Sequence, residues 1–158
     1  MKRFYLAQEG HVVNALPPID VSGGATSDAF KMTNHSHASI LVATRVSAAA
    51  LTSITVEACS AADGSGNEAI AFDYFAETTA AGDTLGAKTS ATTSGITSPT
   101  ANDNTMYVIE IDAAELPQDK PWVRVVLTNA SGNSVICTVQ AILSGSRYSG
   151  DQNATAIA

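Results

Sequence analysis

The two histidines in Asn34-His35-Ser36-His37 are the side chains best suited to binding a metal ion. Residues two apart in an extended strand point to the same face, so both imidazoles would be available to one cation. A zinc site needs three or four ligands, and the chain has one further histidine, His11. Because this ligand set is incomplete, we interpret His35 and His37 as structural residues at the entrance of a strand.

Oxygen-bearing side chains also alternate in Asp63-Gly64-Ser65-Gly66-Asn67-Glu68, as they do at the start of a calcium-binding EF-hand loop. The sixth position of that loop requires glycine, whereas here it is Glu68, and no helical pattern flanks the segment. Asp-Gly and Ser-Gly are common turn-forming pairs. We therefore predict a hairpin turn here and no calcium site.

Three carboxylates, Asp112, Glu115 and Asp119, lie close together in sequence, as a glycosidase would require. Nothing in the sequence places two of them across a cleft, and the prolines that follow predict a solvated corner. The chain also lacks a Gly-x-Ser-x-Gly elbow, a phosphate-binding loop and a dinucleotide fingerprint. We therefore predict no catalytic, cofactor-binding or metal-binding residue, and a protein that is not an enzyme.

The charge of the chain disfavours two classes of partner. The formal net charge is −7, and the eight lysines and arginines are scattered, with no basic stripe beyond Lys2-Arg3. Nucleic-acid binding depends on Lys and Arg that displace counterions from phosphates, and anionic membrane surfaces attract the same residues. We therefore predict no nucleic-acid partner and no membrane partner.

The N-terminus and the cysteines bear on the compartment. The chain begins with basic residues but lacks the apolar run of a secretory signal, so we expect a protein made in the cytoplasm. Cys59 and Cys137 fall in apolar, strand-like runs far apart in sequence. In a reducing compartment two buried free thiols are favoured, although the sequence leaves a cross-sheet disulfide open.

Period-2 alternation of apolar and polar residues recurs along the chain, separated by turn residues, and predicts half-buried strands. The predicted strands are 11–16, 27–33, 37–46, 53–59, 69–77, 106–112, 122–128 and 134–143. The last two are predicted to form a hairpin over residues 129–133. About eight strands without an amphipathic helix indicate an all-β fold, an antiparallel jelly-roll-like β-sandwich in one domain, 1–158.

The apolar phase of these runs predicts the core, and the remaining segments are predicted to be arms. Residues 1–10 form an N-terminal arm, 78–105 a long exposed excursion with one strand near 84–91, and 150–158 a loose C-terminal tail. The predicted core residues are Ile40, Val42, Ile54, Val56, Ile70, Phe72, Ile109, Ile111, Val123, Val125 and Val139.

Five segments occur together in a recognisable order. They are Pro17-Pro18-Ile19-Asp20-Val21-Ser22-Gly23-Gly24, His37-Ala38-Ser39-Ile40, Ile54-Thr55-Val56-Glu57-Ala58-Cys59, Tyr107-Val108-Ile109-Glu110-Ile111-Asp112 and Ala141-Ile142-Leu143-Ser144-Gly145-Ser146-Arg147-Tyr148. From about Phe4 to Tyr148 the chain resembles a group of small virion proteins of tailed bacteriophages, which are recorded mostly as structural or capsid-associated. These segments are strand and turn patterns and transfer no functional residue.

The resemblance implies a protein that decorates, or cements, the outer surface of a capsid. It implies a jelly-roll-like fold, the major capsid protein as partner, and homo-oligomers on the shell, for which we expect trimers. One alternative is a carbohydrate- or receptor-binding jelly-roll module, which would use exposed aromatics such as Trp122. Another is a structural component of the phage tail or neck.

Overall fold

A computed structural model describes residues 5–45, 50–97 and 104–146, which form twelve β-strands, one short α-helix and one 3₁₀ turn. The elements are α1 (Leu6–Glu9), β1 (His11–Asp20), β2 (Ala25–Thr26), β3 (Phe30–Lys31), β4 (His35–Thr44), β5 (Ser53–Cys59), β6 (Glu68–Ile70), β7 (Phe72–Ala76), β8 (Thr89–Ala91), β9 (Ile96–Thr97), β10 (Met106–Asp112), the 3₁₀ turn (Ala113–Glu115), β11 (Trp122–Thr128) and β12 (Ile136–Ser146). No helix in this part of the chain has the length and apolar character needed to cross a membrane.

Two antiparallel sheets pack face to face as a sandwich, so the predicted all-β class is confirmed. Sheet A has the order β1-β12-β4-β10-β7-β8. Sheet B has the order β2-β11-β5-β6, with β3 also paired to β11 and β9 to β5. Apart from the consecutive pairs β5-β6 and β7-β8, neighbouring strands of these two orders are distant in sequence, and the two sheets enclose one continuous apolar core.

Alternate residues of the long strands fill this core. Every core residue predicted from the sequence is buried, and Ile40, Val56 and Ile109 have no exposed surface. Successive side chains of a strand point to opposite faces, so burial of one residue sets the orientation of the whole run. The phase of the predicted runs that contain these residues is therefore confirmed.

The predicted hairpin between residues 122–128 and 134–143 is wrong. β11 pairs within sheet B and β12 within sheet A, so residues 129–133 cross from one sheet to the other. The buried Asn129 holds this crossing, because its amide nitrogen donates hydrogen bonds to the carbonyls of Val21 and Asn133. Alternation identifies the residues that face the core but not the sheet that a strand joins, since both sheets face the same core.

The bounds of several predicted strands also need correction, including β4, which begins at His35, and β12, which spans Ile136–Ser146. The first strand does not end at Pro17-Pro18 but continues to Asp20, because β1 is an irregular edge strand, where prolines are tolerated. The predicted strand 69–77 separates at Ala71 into β6 of sheet B and β7 of sheet A. Within 27–33, strand pairing is confined to β3. Such breaks and short strands raise the count above the predicted eight.

The segment 78–105 is exposed as predicted over most of its described residues, but it is anchored at two points. β8 extends sheet A beside β7, and β9 pairs with β5 in sheet B. Ile96 is buried whereas Leu85 is exposed. The segment therefore passes from one sheet to the other at this edge. Residues 1–4 of the predicted arm, 98–103 of the excursion and the tail 150–158 lie outside the described residues.

We predict that Ile109→Ala lowers the free energy of unfolding by about 2–5 kcal/mol, because it removes buried methyl groups and leaves a cavity between the sheets. Val108→Ala is the matched control, since Val108 is the preceding residue of β10 and faces outward. Its cost is expected to stay below about 1 kcal/mol. Urea denaturation measures both values, and equal losses for the two variants would contradict the phase of β10.

Candidate functional site

The two histidines of the sequence motif both lie on β4 but take different partners. His37 is half-buried on the outer face of sheet A, opposite Asp112 of β10. His35 is buried and stacks on His11 of β1, with ring centroids 5.9 Å apart and ring planes inclined by 24°. These contacts are consistent with the interpretation of both residues as structural. The two imidazoles have different partners and do not point at a common site.

Both ring nitrogens of His37 contact a carboxylate. Nε2 lies 2.7 Å from Oε2 of Glu110, and Nδ1 lies 2.7 Å from Oδ1 of Asp112. A neutral imidazole carries one N–H, so two such hydrogen bonds require the imidazolium form. Burial by itself lowers the pKa of His37, but the hydrogen bonds to Asp112 and Glu110 outweigh it and raise the pKa above its ordinary value. His37 therefore joins β4 to β10 as a cation between two anions.

These contacts belong to a polar band that crosses four strands on the outer face of sheet A. Glu110 also accepts a hydrogen bond from the Ser39 hydroxyl and lies opposite Asp73 of β7. Asp73 in turn accepts hydrogen bonds from Lys88, at 2.8 Å, and Ser90, at 2.5 Å, which lower the pKa of its carboxyl. The residues of the polar band are His37, Ser39, Asp73, Lys88, Ser90, Glu110 and Asp112.

The polar band has no activated nucleophile. The Ser39 hydroxyl donates to Glu110 and not to His37, unlike the serine–histidine pair of a hydrolase. Both nitrogens of His37 are engaged, which leaves no free lone pair for a general base. Among the described residues, no group of three or more His, Cys, Asp or Glu side chains is arranged as a metal site. The band therefore links strands, and its charges are satisfied within the sheet face.

The segment from Asp63 to Glu68 is the predicted hairpin turn, joining β5 to β6. The Asp63 carboxylate accepts a hydrogen bond from the backbone N–H of Ser65 at 2.8 Å, which lowers its pKa. Gly64 lies so close to the Arg124 guanidinium that a β-carbon would stand 1.8 Å from its nitrogen. Its positive φ of 80° also favours glycine. The Asp63 carboxylate, which resembled a calcium ligand in the sequence, thus stabilises the turn itself.

An ion pair that the sequence analysis did not identify lies beneath this turn on sheet B. Arg124 of β11 donates to Glu57 of β5 from Nε at 2.8 Å, and its terminal nitrogen lies 2.7 Å from the same carboxylate oxygen. Both side chains are largely buried, at 20% and 17% exposed. The alternating pattern marked Glu57 as outward, but the pair follows only from the strand register, which places Arg124 opposite Glu57.

The three carboxylates considered for glycoside hydrolysis have separate positions. Asp112 ends β10 and contacts His37, and Glu115 belongs to the 3₁₀ turn. Asp119 is exposed in the turn before β11, with a positive φ of 63°. These positions match the solvated corner expected from the sequence.

Trp122 lies on the outer face of sheet B, where a sugar-stacking residue would be expected. Its ring is half-buried, and the Lys31 ammonium lies 5.5 Å from the ring centroid. This cation–π contact takes up one face of the ring, a surface on which a sugar would otherwise stack. The position of Trp122 therefore favours structural packing.

The cysteines are both buried free thiols, which resolves the alternative left open by the sequence. Cys59 belongs to sheet B and Cys137 to sheet A. Burial raises the pKa of both thiols, and for Cys137, with the nearby charge of Asp20 contributing, to about 12. Neither thiol is set up as a nucleophile at neutral pH.

Large exposed apolar side chains gather along one edge of sheet A, which we call the apolar rim. Tyr5 and Leu6 lie at the N-terminal end, Val12 and Ile19 on β1, and Ile136 on β12 opposite the end of β1. Tyr5 and Val12 are each 48% exposed. Val12 and Ile19 stand near opposite ends of β1, so these side chains are distributed along the edge, where each leaves apolar surface available for contact. The sequence indicated the N-terminal part of this rim as an arm but missed Val12 and Ile19, whose exposure depends on the edge position of β1.

Comparison of the chain with models of known protein families finds no match, and neither does comparison with curated proteins.

We predict that His37 contributes stability that is lost at alkaline pH. Its pKa is raised on folding, so the contribution is complete below its ordinary pKa of 6.5 and disappears as pH rises through the higher folded value. The urea midpoint should therefore fall between about pH 6 and about pH 9, and His37→Gln should reduce this fall.

The matched control is Lys88→Gln, which removes a cation of the same polar band whose pKa is raised from 10.5 and so does not titrate in this range. This variant should keep the pH response of the parent protein. An unchanged alkaline fall in His37→Gln would show that His37 does not carry it.

We also predict that a metal chelator leaves the melting temperature unchanged. The imidazoles of His35 and His37 and the Asp63 carboxylate, the candidate ligands of the sequence, take part in contacts within the fold. A ligand that binds the folded state raises its melting temperature, so removing one would lower it. Calorimetry with and without EDTA is the measurement, and a drop of several degrees that zinc or calcium restores would contradict the prediction.

Proposed function

We propose that this protein is a structural component of a tailed-phage virion. It decorates and stabilises the outer capsid surface by bridging subunits of the major capsid protein, after synthesis in the host cytoplasm. The observation that carries the proposal is the apolar rim, because it lies at the N-terminal arm that the sequence identified as a contact segment. Protein interfaces have an apolar centre surrounded by polar groups, and the polar band lies on the same sheet as this rim, with β12 between β1 and β4.

The strand order supports the jelly-roll part of the proposal. In sheet A the first strand pairs with the last, β12, and in sheet B β2 pairs with β11. The two ends of the chain therefore run side by side in both sheets, as they do when two Greek keys are wound together. The phage proteins that the sequence resembles are expected to share this connectivity.

The proposal includes a homo-oligomer, for which we expect a trimer, with residues 1–10 and 78–105 making contacts between chains. The exposed Leu85 of the second segment supports this role, because no neighbour within the described fold covers it fully. β8 and β9 anchor the segment to the two sheets at two points. Anchoring limits the conformational entropy that the segment loses on binding.

The competing carbohydrate-binding function is less well supported, because the Trp122 ring is half-buried and Lys31 lies over one of its faces. A position in the tail or neck is the nearer alternative and would use the same apolar rim. Cryo-microscopy of virions separates the two. Our proposal requires density on the outer shell at a copy number comparable to that of the major capsid protein, whereas density at the tail or neck would contradict it.

We predict that deleting residues 1–10, or the substitution Val12→Ser, lowers the occupancy of this protein on capsids. Both changes remove apolar surface of the rim while leaving the core intact, so the β-sheet circular-dichroism signal should persist. Capsids without the protein should assemble but resist heat less well.

Val126→Ser is the matched control, because Val126 is an outward-facing valine of sheet B, away from the rim. Its occupancy should equal that of the parent protein. If occupancy stays complete both after deletion of residues 1–10 and in Val12→Ser, the apolar rim is not the surface that contacts the capsid. A monomeric mass in solution and on the shell would remove the trimer.

A further inference from the structure

The His11–His35 stack joins two strands that share no backbone hydrogen bonds, since β12 lies between β1 and β4 in sheet A. His11 is the first residue of β1 and His35 the first of β4. His35 is 6% exposed, and its Nδ1 atom has no hydrogen-bond partner. The stack therefore consists of a buried imidazole and a second imidazole that covers it at the point where the N-terminal segment enters the sheet.

The N-terminal segment, residues 5–10, rests on the sheet next to this stack. A β-carbon at Gly10 would stand 3.3 Å from both the Ile142 side chain and the Leu143 carbonyl of β12. Gly10 also donates its N–H to the carbonyl of Leu6, which closes the single turn α1. Because His11 follows directly and also pairs with Leu143 of β12, separating the two imidazoles would remove one of the contacts that hold the start of β1 and this segment on the sheet.

Among the residues that the structure describes, no anion is placed to balance a proton on His35. On β12, Ser146 lies opposite His35 and Ser144 opposite His37, and neither is charged. The carboxylates of β10, Glu110 and Asp112, are both bonded to His37, which is itself cationic. Glu115 of the 3₁₀ turn and Glu9 of α1 are exposed. The charge that acts on His35 from the neighbouring strand is that of His11.

We propose that the His11–His35 stack is a pH-sensitive latch, which holds the start of β1 and residues 5–10 on sheet A near neutral pH and releases them at mildly acid pH. Two imidazolium rings in stacked contact repel each other. In addition, a buried imidazolium loses its hydration, and no counter-charge among the described residues replaces that hydration.

The direction of the effect follows from linkage. Burial, with the charge of His11 contributing, lowers the pKa of His35 below 6.5 in the latched state. The released state therefore binds more protons, and acid shifts the equilibrium towards it. His37 responds in the opposite sense, because its pKa is raised. His35 and His37, which are separated by one residue on β4, thus make the structure sensitive to opposite ends of the pH range.

Hydrogen exchange followed by mass spectrometry tests the latch on the full chain. After correction for intrinsic exchange rates, amides in peptides covering residues 6–16 should exchange faster at about pH 5 than at about pH 7.5. The opening equilibrium constant should increase by up to about tenfold for each unit by which the pKa of His35 is lowered. Peptides from β11 in sheet B are the internal reference and should show no such change.

His35→Phe keeps an aromatic ring in the stack but cannot be protonated, so its N-terminal peptides should stay protected at acid pH. Lys88→Gln, which removes a cation that does not titrate in this range, is the control and should open as the parent protein does. Equal corrected exchange of residues 6–16 at both pH values, or acid opening in His35→Phe equal to the parent, would overturn the proposal.

His11→Phe provides a second route if His35→Phe does not fold. It keeps a ring over His35 but removes the second charge, so acid opening should decrease, and the His35 pKa measured by NMR titration should rise towards 6.5. An unchanged His35 pKa together with unchanged acid opening would show that the two rings are not coupled, and the latch would be wrong.

Discussion

Burial of every second residue of β4 is the constraint on which the rest of the structure depends. β4 lies between β12 and β10, and Ala38, Ile40 and Val42 are completely buried against sheet B. A shift of one residue in register would turn these side chains to solvent and bring His37 into the core. The same register that satisfies the core therefore aligns His37 with Asp112 and Ser39 with Glu110 on the opposite face.

Local sequence was sufficient to predict strands but not the sheets to which they belong. The bounds of β5, β10 and β11 match the prediction, because each is an alternating run that ends at turn residues. The assignment of β11 and β12 to one hairpin failed because inward residues of either sheet give the same alternation. At Ala71 the chain even changes sheet without interrupting the apolar phase. Sheet membership depends on pairing between distant segments, which a single run does not encode.

The candidate site shows the same division between local and distant information. The turn beginning at Asp63 was predictable, because the hydrogen bond from Ser65 spans two residues. The contacts of His37 with Asp112 and of Arg124 with Glu57 span 75 and 67 residues, so they follow only from the paired register. Likewise, the spacing of His35 and His37 indicated a shared face, but the stacking of His35 on His11 required β1 and β4 to be near neighbours in space.

The edges of the two sheets have a consequence for a protein present in many copies. An open edge with free N–H and C=O groups can add a strand from another molecule and so start aggregation. Among the described residues, the edge strands β2, β6 and β8 are two or three residues long, and β1, the long one, carries Pro17 and Pro18 and two breaks in register. Such edges give a neighbouring chain little backbone to pair with. When copies of this protein are crowded together, contacts between them therefore form through side chains and not through strand pairing. Such contacts can be specific and reversible.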